Sequence, residues 1–238
     1  MKQQVGKLSS DRTNELEERT SGVRLFKARN SWVALLMLAM PLFGQPAESP
    51  AIRVQIDVYN YARVSNPVMT EGFATAEQIF GEAGVQISWK EVPLDLTEDL
   101  KTGPDDERTS RLCLRLLPRA MSNRGEERQE AIGSAFPTDD NAGFIANVFY
   151  KRLEALRASV ACSRGTILGN VIAHELGHLL LGRNSHSEAG IMSANWQRDS
   201  QIVRLRAGSL IFTPQEAQRI RHNILERERR AQMRSTIP

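Results

Sequence analysis

Histidine is scarce in this 238-residue chain, with four in all, and cysteine is scarcer still, with two. Two cysteines cannot make a disulfide framework, and without a CxxC pair they cannot make a cysteine-rich zinc module. Aromatic residues are 6% of the total, charged residues 25% and hydrophobic ones 41%, the composition of a globular protein and not of a low-complexity one. Long apolar runs are missing too. The longest uncharged apolar stretch, Trp32 to Phe43, has 12 residues, against the roughly 20 that span a bilayer. Net basicity is also absent where it would matter. Of the 31 basic and 28 acidic residues, seven and four fall within residues 1–47, so the remainder is neutral. A folded nucleic-acid binder would keep a basic footprint, and none is expected here.

What residues 1–47 do have is a recognisable layout. A polar stretch, "MKQQVGKLSSDRTNELEERTSG", precedes Arg24, Lys27 and Arg29, then "WVALLMLAMPLF", then "GQPAESP". A basic flank, an apolar segment of this length and small residues after it form a secretory signal, with cleavage after Ala47 or Gly44. An uncleaved membrane anchor is the alternative, and the only membrane contact expected. Residues 48–238 are then the working domain, secreted or periplasmic. In an oxidising compartment Cys113 and Cys162 would pair, closing a loop of about 50 residues and restricting the unfolded chain. Two separate buried thiols are the other reading.

Along this domain "AIRVQIDVYNYA" alternates apolar and polar residues and predicts a half-buried strand. Residues 67–84 carry an apolar stripe at helical spacing. "VQISWKEV" and "RLCLRLLP" predict further strands, and 119–130 a charged surface loop. "AIGSAFP" and "GFIANVFY" predict an extended pair joined by the turn-rich "PTDDNA". A short helix over 151–159 leads to a deeply buried one, "GTILGNVIAHELGHLLLG". Irregular chain follows. The terminal helix opens on Thr213, Pro214 and Glu216, a capping box with proline in the first turn. Its Arg-rich stretch from Arg219 to Arg234 reads as an exposed face. The sum is one α+β domain, a small mixed sheet over the histidine helix with a C-terminal helix.

Three of the four histidines fall within 13 positions, in "AHELGHLLLGRNSHSEAGIM". His174 and His178 are four apart and share one helix face, so both imidazoles reach a single ion. Zinc favours such nitrogen ligands. Glu175, beside the first ligand, has the general-base position of an H-E-x-x-H metallohydrolase. Gly182 lets the chain turn, and His186 returns as a third ligand. Three protein ligands leave a fourth position open for water. The competing reading, two histidines and a glutamate on an ordinary buried helix, leaves costly polar groups in a core. Other candidates for third ligand are the carboxylates of Glu188 and Glu216. His222, among arginines, reads as a surface residue, and Trp196 as packing beneath the turn that follows the site.

"HELGHLLLGRNSHSEAGIM" resembles the active-site segment of the metzincin zinc endopeptidases, matrixins above all, whose pattern is H-E-x-x-H-x-x-G-x-x-H followed by a methionine turn. His174, Glu175 and His178 match in place. His186–Ser187 and Gly190–Met192 match in type, with Gly182 and His186 one and two residues late, as in a turn expanded by two. The resemblance implies a zincin-like fold, one catalytic Zn2+ held by His174, His178 and His186, and Glu175 as base. It also implies Met192 as the turn methionine and a peptide or protein substrate. No tyrosine follows Met192 to act as the extra ligand of astacin-like enzymes, and no N-terminal cysteine stands where matrixins keep their latency switch. The alternative class is a zinc-stabilised module that binds peptides without cutting them.

Overall fold

A computed structural model describes residues 51–94, 111–118, 131–138, 143–196 and 198–236, all within the compact unit Glu48–Pro238. The N-terminal leader, the 119–130 loop and most of the turn before Gly143 lie outside the described residues. Among the described residues no helix is long and apolar enough to cross a membrane.

Among the described residues five strands form one mixed sheet in the order β2-β1-β3-β5-β4. They are β1 (Ile52–Tyr59), β2 (Val85–Glu91), β3 (Arg111–Leu117), β4 (Gly133–Ala135) and β5 (Ile145–Phe149). The first four in spatial order run parallel, and β4 is antiparallel to β5 at the edge. The period-two pattern decides which face is covered. Val54, Ile56 and Val58 of β1 and Leu112, Leu114 and Leu116 of β3 are buried. Their neighbours Gln55, Asp57, Cys113 and Arg115 turn to the opposite face.

The covered face carries α1 (Asn66–Glu82) and α3 (Arg164–Leu181). Helix α1 starts with Pro67 in its first turn and buries Met69, Ala76, Ile79 and Phe80. Helix α3 is capped at its start by Ser163, whose side chain accepts from Thr166 N–H, and is buried on nearly every side. The two helices approach closely because glycines line the crossing: a Cβ at Gly169 would stand 2.5 Å from Thr75 Cβ. Burying a leucine or isoleucine contributes roughly 1.5–3 kcal/mol. Ile167, Leu168, Ile172, Leu176, Leu179 and Leu180, all at 0% exposure, therefore make α3 the axis of the core.

A 3-10 turn (Tyr150–Arg152) leads into α2 (Leu153–Val160), and α5 (Pro214–Ser235) ends the described chain. The capping box of α5 forms as expected: Thr213 Oγ1 accepts from Glu216 N–H and Glu216 Oε2 from Thr213 N–H. Three expectations need correction. The segment before α5 is not wholly irregular, since α4 (Asp199–Arg206) lies within it. No disulfide joins Cys113 and Cys162. Alternation on β3 sends Cys113 to the open face, whereas Cys162 packs against the core on the helix side, so the sheet stands between them. The third correction concerns the arginines. Arg219, Arg229 and Arg230 are exposed as expected, but Arg227 is buried and Arg221 half-buried, and several guanidinium groups reach helix C-termini, where orphan carbonyls need donors and positive charge is favoured. Arg206 donates to Val160 O of α2, Arg221 to Ala83 O beyond α1, and Arg219 to Leu181 O of α3. With Asn223 donating to Leu180 O and buried Arg227 to Leu179 O, a single i, i+4, i+8 stripe of α5 covers three successive carbonyls of α3.

Candidate metal centre

The two histidines of α3 stand one above the other, as their spacing requires. Their rings meet edge to face with centroids 4.6 Å apart, and the two Nε2 atoms are separated by 3.1 Å. Two metal–nitrogen bonds of about 2.0–2.1 Å at a tetrahedral angle hold nitrogens about 3.3 Å apart. The pair therefore has the separation that one ion demands.

Helix α3 ends where Gly182 takes φ 87° and ψ −169°, a conformation open to glycine, with its N–H on His178 O. Asn184 follows at φ 55°. These two residues reverse the chain and bring His186 back, its ring 4.6 Å from that of His178 and 5.4 Å from that of His174. One ligand atom from each of His174, His178 and His186 lies within 4.8 Å of the others. The three imidazoles are thus within reach of one ion. His174 is buried and His186 exposed, so the cluster opens to solvent on the His186 side.

Neither carboxylate proposed as a substitute ligand joins this group among the described residues. Glu188 is exposed, and Glu216 is engaged at the start of α5. His222, exposed on α5, also lies outside it.

The outer nitrogens are held as well. His174 Nδ1–H donates to Ile191 O at 2.7 Å, and Trp196 Nε1–H donates to the same carbonyl at 3.2 Å. Trp196 and His174 also meet edge to face, ring centroids 5.3 Å apart, so Trp196 packs on this imidazole as well as on the turn. Ile191 itself is fixed by its N–H on Ile211 O, and Ser193 N–H closes the turn on Gly190 O. His178 Nδ1 lies 2.8 Å from Ser185 Oγ. Met192, wholly buried, sits under the helix between the two histidines. A Cβ at Gly177 would stand 2.5 Å from Met192 Sδ and 2.9 Å from Phe212 Cε1. Glycine there lets the methionine turn approach the ligand-bearing helix.

Electrostatics keep these rings neutral. Burial lowers the His174 pKa to about 4, opposed by its bond to Ile191 O and assisted by the nearby charge of His186. Burial lowers His178 to about 3, and the neighbouring imidazoles His174 and His186 push the same way. Near neutral pH both rings carry a lone pair for a cation.

Glu175 is 6% exposed, turned from the ligand face of α3 onto the edge strand. Its carboxyl occupies the space above Gly133 of β4, where a Cβ would stand 2.6 Å from Glu175 Cδ. Gly133, Ser185 and the Ile191 carbonyl were not singled out in the sequence. No short motif marks them, although a glycine inside a strand signals a close approach of some kind. No protein-family model matches the chain, and no curated protein is found to be similar to it.

Proposed function

We propose that this protein is an exported zinc-dependent metallopeptidase with a zincin-like fold, built like the metzincins it resembles in sequence. The observation that carries the reading is the juxtaposition on α3. His174, His178 and His186 lie within reach of one ion, the first two held neutral by burial, and the next residue along α3, Glu175, buries its carboxylate against the edge strand. A structural zinc site has no use for that carboxylate. The donor set fits zinc: three nitrogens, two of them backed by oxygen partners on Nδ1, and a side left open at exposed His186. When bound there, zinc would polarise a carbonyl and lower the pKa of its water towards 7.

The residues of the chain supply the rest. Glu175, as general base, accepts the proton of the attacking water and returns it to the leaving amine. Strand β4 is paired only with β5 among the described strands, so an extended peptide can add to its other edge by backbone pairing. That makes a peptide or protein the substrate. The leader over residues 1–47 directs the protein out of the cytoplasm.

The test is made on the full chain loaded with zinc, against a mixed pool of peptides, beside Glu175→Gln. Wild type is expected to hold one zinc per chain and to cleave. The variant should hold the same zinc and lose a factor of about 10²–10⁴ in rate, the usual contribution of a general base. Zinc in both with cleavage in neither would leave a peptide-binding module in place of an enzyme.

A further inference from the structure

Ser185 is not needed to count ligands, yet it is buried at 7% exposure between an arginine–asparagine turn and an exposed histidine. Its Oγ is 2.8 Å from His178 Nδ1. An imidazole that offers Nε2 to a cation carries its proton on Nδ1, and that N–H requires an acceptor if the ring is to keep one orientation. For His174 the acceptor is Ile191 O, a carbonyl that can do nothing else. For His178 the atom in place is a hydroxyl, which accepts while turning its own proton aside.

The loop is shaped so that this oxygen arrives there. Left-handed backbone at Gly182 and Asn184 turns the chain back within three residues of the end of α3. Ser185 then faces inward and His186 outward. Beyond them Ser187 N–H donates to Met192 O at 3.0 Å, and Ser187 bridges to Ser193. The segment from 185 to 187 is therefore pinned at both ends, by an imidazole and by the methionine turn. The eight-residue step from His178 to His186 has a use: it leaves room for Ser185 to return to the second ligand before the third is presented.

We propose that Ser185 is a positioning residue of the metal centre, fixing the tautomer and ring orientation of His178 and coupling the second ligand to the loop that carries the third. This rests on the metal reading given above. Partners of this kind commonly contribute about 10–100-fold to metal affinity.

The test uses the full chain as wild type, Ser185→Ala, Ser185→Thr and Ser187→Ala, with Zn2+ titrated against a chromophoric chelator. Ser185→Ala should bind one zinc with about 10–100-fold weaker affinity, while its chelator-stripped form melts as wild type does. Ser185→Thr, which keeps the hydroxyl, should recover most of the loss. Ser187→Ala should bind as wild type, because Ser187 Oγ donates to Ala189 O and touches no imidazole. Wild-type affinity in Ser185→Ala would overturn the proposal, and so would an equal loss in Ser187→Ala, which would mark loop integrity as the cause. Should Ser185→Ala not fold, zinc-loaded wild type answers by nitrogen NMR. A His178 Nδ1–H protected from exchange supports the assignment, and one exchanging like an exposed imidazole refutes it. Failure of wild type to bind zinc would instead sink the metal reading itself, a result distinct from binding that ignores Ser185.

Discussion

Replacing Gly133 by alanine adds one methyl group at the point where the edge strand meets Glu175. That Cβ would stand 2.6 Å from both Cδ and Cγ of the glutamate, whereas ordinary contact begins at 3.4 Å. Strand β4 is held in register with β5 through Gly133↔Val148, so the side chain gives way, by about 1 Å. Gly133 is not among the glycines with positive φ, and alanine can take its backbone conformation. The cost to stability is that of modest overpacking, about 1–3 kcal/mol. The cost to chemistry is larger in proportion, because a misplacement of about 1 Å costs about 100-fold in rate. The three imidazoles are not touched, so zinc affinity should stay at the wild-type value. Initial rates on peptides, zinc content and melting temperature, taken on the same preparation, separate these effects. A folded, zinc-replete Gly133→Ala protein that cleaves at the wild-type rate would refute the seating of Glu175 as base.

Acid should destabilise the chelator-stripped protein. His174 and His178 are held at about 4 and about 3 by burial, below the 6.5 of an unfolded histidine. The unfolded chain takes up protons first, so their contribution is full above about pH 7 and is lost as pH falls from 6.5 towards 4; at pH 5 each accounts for about 2 kcal/mol. Urea midpoints at pH 8 and pH 5 measure this, and equal midpoints would contradict it. Arg227→Met should remove the donors to Leu179 O and Gly143 O and leave two carbonyls unsatisfied, at about 2–4 kcal/mol. Unchanged urea stability would show that water replaces the guanidinium there.

The parts of this architecture that repeat with a fixed period were legible in the sequence. Strand β1 was readable because, among the described residues, helices cover one face of the sheet, so Val54, Ile56 and Val58 alternate with polar residues. Thr213 and Glu216 announced the start of α5 because a capping box is local, complete within four residues. His174 and His178 needed only helical spacing. Contacts between distant segments left no such mark. Gly133 meets Glu175 from 42 positions away, and Ser185 meets His178 only because two left-handed residues fold the loop back. Helix α4 buries just Gln201 and Leu205, too few for an apolar stripe to be seen. Arg219, Arg221 and Arg227 of α5 looked solvated because charge is normally read as exposure, while their guanidinium groups end on carbonyls of α3 and of Ala83 just beyond α1. For the cysteines the clue was present but outweighed: the alternation that buries Leu112 and Leu114 already turned Cys113 to the other face.

The way α3 is held bears on what a metal would do here. In a small zinc module the ion supplies the folding free energy, because the ligands have no other support. Here α3 packs on α1 through the close approach at Gly169, rests on Met192 and Phe212 at Gly177, and has its last carbonyls covered by Arg219, Asn223 and Arg227. His174 and His178 are therefore positioned by the core itself. An ion added to such a site has little folding work left to do. On the proposed reading its binding free energy would be available for holding a ligand in the open position, which is the arrangement that catalysis needs and a structural site does not.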